Sequence, residues 1–271
     1  ILKQVRILSD GRIETSRDFS FELPANAYTG GLVYQNMRAY ITYYVPVNIN
    51  GNNYYAKAFV RVADLSSFDN VEISKPVNVP GTVIGASLSG KYIYTLDYQY
   101  YIDSSDYYRT VGYLNTLLIT EEKAYLQDRL EVLPVSTGNS YSYISGYIVR
   151  DEKFYYTVFS YTWDKNYENY NYSNLLKTVS LIDPEDITLK SAITLKNNGT
   201  GSMKIISDRL FITAYDYVSG LLVYKLTDPF YPEFEAFYRT DGYASADNVS
   251  ASGNKAFVTA GPYGVQVINL K

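Results

Sequence analysis

The pentapeptide Lys153-Phe-Tyr-Tyr-Thr157 belongs to a pattern that occurs five times in the chain: a basic residue, three mostly apolar or aromatic residues, and a threonine. The other copies are Arg38-Ala-Tyr-Ile-Thr42, Lys91-Tyr-Ile-Tyr-Thr95, Arg209-Leu-Phe-Ile-Thr213 and Lys255-Ala-Phe-Val-Thr259. Successive threonines are 53, 62, 56 and 46 residues apart. This spacing is typical of one four-stranded propeller blade rather than of a helical or leucine-rich repeat.

Strand-like runs flank every copy of the pattern. A short apolar run ending in a turn residue precedes each copy, and a loop with a third apolar run follows it. A fourth run completes the first four repeats, at residues 71–79, 124–133, 187–195 and 234–238. Residues 120–133 are the one stretch whose pattern fits a helix as well as a strand. The sequence therefore predicts an all-β fold of four-stranded antiparallel meanders, with a β-sandwich as the alternative.

We predict a single domain over residues 1–271, a β-propeller of five blades. The blades are expected at approximately residues 28–80, 81–137, 138–198, 199–243, and 244–271 together with 1–27. The last repeat has only three strand-like runs, so residues 13–23 are expected to supply its fourth strand and close the ring. The surplus run at residues 3–8, and Ile1 in place of methionine, indicate a fragment of a longer chain or a removed signal peptide.

Composition limits the chemistry that this protein can perform. Its 271 residues include no cysteine and no histidine, which excludes disulfides, thiolate or imidazole metal sites, and nucleophiles that depend on either residue. A net charge of −4 without a basic run argues against a nucleic-acid partner. No apolar run approaches the roughly 18 residues that a membrane span requires. No cofactor is predicted.

One third strand resembles a known repeat. Gly220-Leu-Leu-Val-Tyr-Lys-Leu-Thr-Asp-Pro-Phe-Tyr-Pro232 is similar to the LVIVD-type signature Gly-Leu-x-Val-x-Asp-Val-Ser-Asp-Pro-x-x-Pro, with Lys225 in place of an aspartate. Gly264-Val-Gln-Val-Ile-Asn-Leu270 resembles the start of the same signature, and Ile182-Asp-Pro184 is a shorter match. Such repeats build secreted β-propellers that are distantly similar to WD-40 proteins. The resemblance implies a propeller fold and an extracellular or cell-surface location, but no activity. Three sequons are compatible with that location: Asn171, Asn198 and Asn248.

Tyrosine is strongly enriched, with 32 copies beside a single tryptophan. Two loops between second and third strands concentrate these rings, at residues 98–108 and 161–172. Loops of this kind emerge on one face of a propeller, and tyrosine and tryptophan provide large contact areas at low entropic cost. The predicted ligand-binding residues are Tyr98, Tyr100, Tyr101, Tyr107, Tyr108, Tyr161, Trp163, Tyr167, Tyr170 and Tyr172. The alternative is that these rings alternate across long hairpins and cover the blades beneath.

Carboxylates suggest two further hypotheses. Asp97, Asp103 and Asp106 could supply oxygens to Ca²⁺, but they lack the spacing of a known calcium loop, which favours a solvated acidic turn. Five-bladed glycosidases need at least two carboxylates near the central channel, whereas the first-strand segments of this chain contain only Asp247. We therefore expect a non-enzymatic binding module at the cell surface whose partner is a protein or a glycan. The alternatives are a carbohydrate-active five-bladed glycoside hydrolase and a structural subunit of a surface layer or filament.

Overall fold

The structure is a computed structural model that describes residues 3–16, 18–49, 53–68, 70–102, 108–135, 140–164, 170–196, 199–215, 219–240 and 248–270. Within these ranges the chain forms antiparallel strands joined by turns, with one 3-10 helix at Gly261–Tyr263. Residues 120–133 fit both a helix and a strand by sequence pattern, and within them Ala124–Leu133 form a strand. None of the described residues belongs to a helix long and apolar enough to cross a membrane. The prediction of an all-β chain with four-stranded antiparallel sheets is confirmed.

An N-terminal hairpin precedes the first sheet. It consists of β1 (Val5–Ile7) and β2 (Ile13–Thr15), which pair with each other. The first sheet has the order β3-β4-β5-β6, and β7 also pairs with β5. Its strands are β3 (Tyr28–Gln35), β4 (Arg38–Ile49), β5 (Asn53–Asp64), β6 (Glu72–Ile73) and β7 (Val77–Val79). Pro76 has no N–H for the ladder, and the fourth strand is divided into two short pieces at this residue.

Four further sheets follow as antiparallel meanders in chain order. The second sheet contains β8 (Thr82–Ala86), β9 (Tyr92–Ile102), β10 (Tyr108–Ile119) and β11 (Ala124–Leu133). The third contains β12 (Ser140–Arg150), β13 (Lys153–Trp163), β14 (Tyr170–Ser180) and β15 (Thr188–Thr194). The fourth contains β16 (Gly199–Ile206), β17 (Arg209–Tyr215), β18 (Gly220–Lys225) and β19 (Glu233–Arg239). The fifth contains β20 (Asn248–Ser252), β21 (Lys255–Thr259) and β22 (Val265–Asn269).

Tight turns join the first two strands of the sheets. Asn36 and Met37 have φ values of 53° and 57°, and Asp151 and Glu152 have values of 49° and 58°. Two consecutive residues at positive φ are typical of the type I′ turn, whose twist matches that of the flanking strands. Each such turn places a copy of the repeated pattern at the start of a second strand.

Contacts divide the chain into two compact units. The first comprises Ile1–Asp97 and Leu114–Arg129, and the second comprises Tyr98–Tyr113 and Leu130–Lys271. In the core of the first unit, Tyr40 of the first sheet packs with Val83 and Ile93 of the second sheet.

In the second unit, the fourth sheet buries both of its faces. Leu210 and Ile212 lie on one face and pack with Tyr155 of the third sheet. Phe211 lies on the other face and packs with Val258 of the fifth sheet. Burial of each large apolar side chain contributes about 1.5–3 kcal/mol, so packing of sheet on sheet stabilises this unit.

The threonine of the repeated pattern lies beside an irregularity in the first strand. In the first four sheets, the pairing between first and second strands shifts register next to this threonine. The threonines at these bulges are fully buried: Thr42, Thr95, Thr157 and Thr213. In the fifth sheet the register is unbroken and Thr259 is exposed. A bulge disrupts the ladder locally, and a buried hydroxyl at that point can bond to the displaced backbone groups.

The ring closure expected from the N-terminal segment is not confirmed. Residues 13–23 are predicted to complete the last repeat, but within this segment Ile13–Thr15 form a strand that pairs with Val5–Ile7. Among the described residues, the fifth sheet has three strands. The turn at Asp10 explains the local pairing, because its carboxylate accepts a hydrogen bond of 3.0 Å from the Arg12 N–H. A short turn brings neighbouring runs together at low entropic cost.

Candidate functional site

Three strands of the third sheet carry aromatic residues at alternate positions. They are Tyr141 and Tyr143 in β12, Phe159, Tyr161 and Trp163 in β13, and Tyr172 in β14. Tyr161 is paired with Tyr141 on one side and with Tyr172 on the other, and Phe159 is paired with Tyr143. Cross-strand partners, and residues two apart in one strand, lie on the same face of a sheet. We call this group of six side chains the aromatic shelf.

The rings of the shelf lie side by side. The ring centroids of Tyr141 and Tyr161 are 5.5 Å apart, those of Tyr161 and Trp163 are 5.4 Å apart, and those of Phe159 and Tyr172 are 5.8 Å apart. The planes within these pairs are inclined by 49°, 34° and 30°. Favourable aromatic pairs have centroids about 4.5–7 Å apart, so the shelf is one contiguous aromatic surface.

The shelf continues the face that the third sheet buries against the fourth. Tyr155 lies on the same face of β13 and packs with Leu210 in the core. The first three strands of the third sheet have 11 residues each, whereas those of the fourth sheet have six to eight. At the base of the shelf, burial raises the pKa of Tyr143, and the neighbouring Tyr215 acts in the same direction. The longer strands therefore extend this face beyond its packed part.

The shelf is uncharged and partly open to solvent. Tyr141 is 43% exposed and Tyr172 is 54% exposed, while the other four rings are half-buried. The strand ends that form the shelf, residues 140–147, 157–163 and 170–175, contain no acidic or basic residue. Their opposite face carries Ser142 and Ser160, whose hydroxyl oxygens are 2.6 Å apart. Strand alternation thus separates an aromatic face from a hydroxyl-bearing one.

Tyr98 of β9 lies near the shelf within the same unit. Burial raises the pKa of its phenol to about 12, and Tyr147, Tyr100 and Tyr141 act in the same direction. Tyr100, two residues further along β9, is exposed. The second strand of the second sheet therefore also contributes aromatic side chains to this part of the unit.

Comparisons with known proteins give no family assignment. No family model matches the sequence, and no curated protein matches it. The structure is similar to that of an α-L-arabinanase from Cellvibrio cellulosa, with 12% sequence identity, a TM-score of 0.32 and coverage of 76% of each chain. It is also similar to a glycosyl hydrolase from Bacteroides ovatus, with 10% identity, a TM-score of 0.27 and coverage of 88% of this chain and 82% of that one. At these TM-scores neither similarity carries an argument about activity.

The structure places the predicted ligand-binding residues in three groups. Tyr161, Trp163 and Tyr172 belong to the shelf. Tyr98 and Tyr100 lie in β9. Five predicted residues have side chains outside the described part of the chain: Tyr101, Tyr107, Tyr108, Tyr167 and Tyr170. For these five residues, a place on one common binding face stays a prediction.

Sequence analysis missed half of the shelf, namely Tyr141, Tyr143 and Phe159. These residues lie inside strands rather than in the long loops to which the aromatic enrichment drew attention. A usable signal was present, because Tyr-Ser-Tyr at residues 141–143 and Phe-Ser-Tyr-Thr-Trp at residues 159–163 alternate with a period of two. That period predicts an aromatic face on each strand. It does not predict which strands share that face.

The calcium hypothesis is tested only in part by the described residues. The Oδ2 atom of Asp97 lies 3.8 Å from Nη2 of Arg129, and Arg129 Nε donates a hydrogen bond of 2.8 Å to Asn115 Oδ1. Asp103 and Asp106 lie outside the described residues. Within the described ranges, no group of three or more acidic side chains is arranged to hold a metal ion. Calcium binding by the complete loop stays a prediction.

A second candidate site lies in the first unit, where four carboxylates line a cavity of about 410 Å³. The charged residues around it are Asp64, Glu72, Glu121, Glu122, Arg38 and Lys75. Hydrogen bonds from Ser66, through its hydroxyl and its backbone N–H, hold the pKa of Asp64 below its ordinary value. These carboxylates come from the ends of β5 and β6 and from the turn after β10, outside the first-strand segments in which channel-facing acids were expected. Asp247, the one carboxylate in those segments, lies outside the described residues.

Proposed function

We propose that this protein is a non-enzymatic binding module that acts outside the cytoplasm, with the aromatic shelf as its contact surface. The observation that carries the proposal is the juxtaposition of six rings, without a charged neighbour in the same strand ends, on a partly exposed part of one face of a sheet. The resemblance of residues 220–232 to repeats of secreted propellers supports the location. Tyrosine and tryptophan combine a large apolar area with a polar rim, which suits reversible recognition of a partner.

The position of the shelf supports binding in preference to a purely structural role. Rings that only stabilise the fold are expected to be fully buried, as Tyr155 and Tyr156 of the same strand are. Tyr172 instead leaves about half of its surface open to solvent. The rings also pack against one another, which restricts their rotamers before a partner binds and lowers the entropic cost of binding.

An array of glycans and peptides tests this proposal directly. The wild-type protein is expected to bind at least one class of ligand, and Tyr172→Ala is expected to weaken that binding about tenfold through loss of one contact ring. Tyr231→Ala is the matched control, because Tyr231 is 55% exposed but lies in the turn after β18, which bonds to Tyr155 near the start of β13 and not to a ring of the shelf. Equal loss of binding in the two variants, or no loss in Tyr172→Ala, would contradict a role for the shelf.

We also propose that the five sheets are blades of one propeller. The support is that each sheet is an up-and-down meander that begins with the same hairpin and carries the repeated pattern on its second strand. Radial packing of such sheets protects their faces and leaves only short edges. Small-angle scattering in solution tests the idea: a compact particle of this length has a radius of gyration of about 18 Å, and a markedly larger value would contradict the proposal.

Glycoside hydrolysis is a second candidate function, favoured by the four carboxylates around the cavity of the first unit. Glycosidases of both stereochemical classes need an acid and an ionised carboxylate in one site. The lowered pKa of Asp64 suits the ionised partner rather than the proton donor. Release of reducing sugar from a polysaccharide panel, abolished by Asp64→Asn and unaffected by Tyr172→Ala, would establish this function in place of the first.

A further inference from the structure

We propose that the aromatic shelf binds an uncharged saccharide, an inference that rests on the binding function proposed above and names its ligand class. Three properties of the shelf favour this ligand class: its lack of charge, the polar groups on its rings, and the inclination of the rings. Each property favours one class of ligand over its competitors.

The lack of charge argues against ionic ligands. Phosphate, sulfate and uronate groups are recognised by arginine and lysine, and basic peptides by carboxylates. The strand ends that build the shelf supply only aromatic, hydroxyl, amide and aliphatic side chains. Within these strand ends an anionic ligand would lose hydration without gaining an opposite charge, and this loss is costly, whereas the carboxylate of Asp164 directly follows Trp163 in the chain. An uncharged ligand avoids the cost.

The polar groups on the rings favour a ligand that is rich in hydroxyls. Five of the six side chains carry a hydrogen-bonding group on the ring: the phenol hydroxyls of four tyrosines and the indole N–H of Trp163. Phe159 alone lacks such a group. A sugar ring presents C–H groups on its face and hydroxyls around its edge, so it can stack on one ring and bond to the polar group of the next. A purely apolar ligand offers no hydrogen-bonding group to these rings.

The inclination of the rings favours a saccharide over a proline-rich peptide. Proline-rich segments dock into aromatic-lined grooves of defined shape. Neighbouring rings of the shelf are inclined to one another by 34° for Tyr161 and Trp163 and by 49° for Tyr141 and Tyr161. They form a stepped surface rather than a set of parallel walls. Successive sugar units along a chain can meet such steps one at a time.

The single tryptophan allows a direct measurement on the intact protein. Trp163 is the only tryptophan in the chain and belongs to the shelf, so its fluorescence reports occupancy of this surface. We suggest titration with xylohexaose, cellohexaose and laminarihexaose as uncharged probes. Oligogalacturonate, a sulfated oligosaccharide and decaproline represent the competing ligand classes.

The expected result is a saturable fluorescence change with at least one uncharged probe, and an affinity that changes little between low and high salt. Tyr172→Ala should weaken this binding about tenfold, whereas Tyr172→Phe, which keeps the ring, should retain most of it. Tyr231→Ala should bind as the wild type does. Unchanged melting temperatures would show that the shelf variants remain folded.

Two results would overturn the inference, and they differ in what they imply for the proposed function. Saturable binding confined to oligogalacturonate, the sulfated probe or decaproline would reject the uncharged saccharide and leave the binding function standing. No fluorescence change with any probe, combined with array binding that Tyr172→Ala does not weaken, would reject both.

Discussion

Tyr155 donates a hydrogen bond of 2.8 Å to the backbone carbonyl of Pro229. Tyr155 belongs to the repeated pattern in the third sheet, and Pro229 belongs to the Asp-Pro turn between β18 and β19 of the fourth. The turn is itself fixed by Asp228, whose carboxylate accepts a hydrogen bond of 2.9 Å from the Phe230 N–H. The third residue of the pattern therefore joins one sheet to a turn of the next.

Replacement of Tyr155 with phenylalanine tests this link. Tyr155→Phe removes the hydroxyl donor and leaves the partly buried Pro229 carbonyl without this hydrogen bond. The free energy of unfolding should therefore fall by about 1 kcal/mol. Urea denaturation monitored by circular dichroism measures the change. Tyr231→Phe, at an exposed tyrosine of the same turn, should leave stability unchanged. Equal stability of the two variants would show that the bond contributes nothing.

The buried threonine of the third sheet should matter more than its counterpart in the fifth. The Ser145 hydroxyl lies 2.9 Å from the hydroxyls of both Thr157 and Thr200, so it connects β12, β13 and β16. Thr157→Val breaks this buried network and should cost about 1–2 kcal/mol. Thr259→Val removes an exposed hydroxyl that accepts a hydrogen bond of 2.9 Å from the Asn248 N–H, and because water can replace this bond, stability should change by less than about 0.5 kcal/mol. Chemical denaturation of both variants measures the contrast, and similar costs would contradict the importance of the bulge.

Stability should fall in alkaline solution because of buried phenols. Burial raises the pKa of Tyr224 to about 12, and it also raises the pKa of Tyr155 and Tyr156 above the ordinary value of 10.0. Below pH 10 these groups are protonated in both states. Above pH 10 the unfolded chain releases protons that the folded protein keeps. The free energy of unfolding therefore falls by up to about 1.4 kcal/mol per pH unit for each group.

Two measurements check the alkaline prediction. Phenolate absorbance should show a set of tyrosines that titrates well above pH 10, and the urea midpoint should decrease steadily from pH 9 to pH 11.5. Tyr224→Phe should make that decrease shallower, because it removes one of the groups. Two results together would be incompatible with the burial of these rings: titration of all tyrosines near pH 10, and a urea midpoint that stays constant from pH 9 to pH 11.5.

A strained turn offers a stabilising substitution. Ser207 has a φ of 56°, which is unfavourable for a residue with a Cβ, and its side chain is exposed. Ser207→Gly should raise the free energy of unfolding by about 0.5–1 kcal/mol through relief of this strain. Ser207→Ala keeps the Cβ and should give no gain. Thermal melting of the two variants against the wild type decides the question, and a gain in Ser207→Ala would point to a cause other than the backbone.

Much of the local structure is predictable because neighbouring residues determine it. The alternating apolar runs around Thr157 predict strands, and the short connections between them predict antiparallel meanders. The N-terminal hairpin shows the limit of this approach. Residues 13–23 have a strand-like pattern, but the pattern does not identify the partner, and the local turn at Asp10 pairs β2 with β1.

The candidate site depends more strongly on tertiary structure. Enrichment in tyrosine indicates an aromatic surface and identifies Tyr161, Trp163 and Tyr172, all near one loop. Tyr141 and Tyr143 join them only because β12 pairs with β13 in one register, with a shift between Ile144 and Gly146. The carboxylates of Asp64 and Glu121 meet in one cavity because two sheets pack together in the first unit.

The sequence by itself therefore determined the strands, the repeated hairpins, the absence of cysteine and histidine chemistry, and the abundance of rings. Tertiary structure alone decided the register between strands, the partner of the N-terminal run, and the six rings that share one face. The physical reason is the two-residue period of a strand. A pattern such as Tyr141-Ser142-Tyr143 looks the same whichever strand it pairs with, yet a register shift of one residue would turn its rings to the opposite face of the sheet.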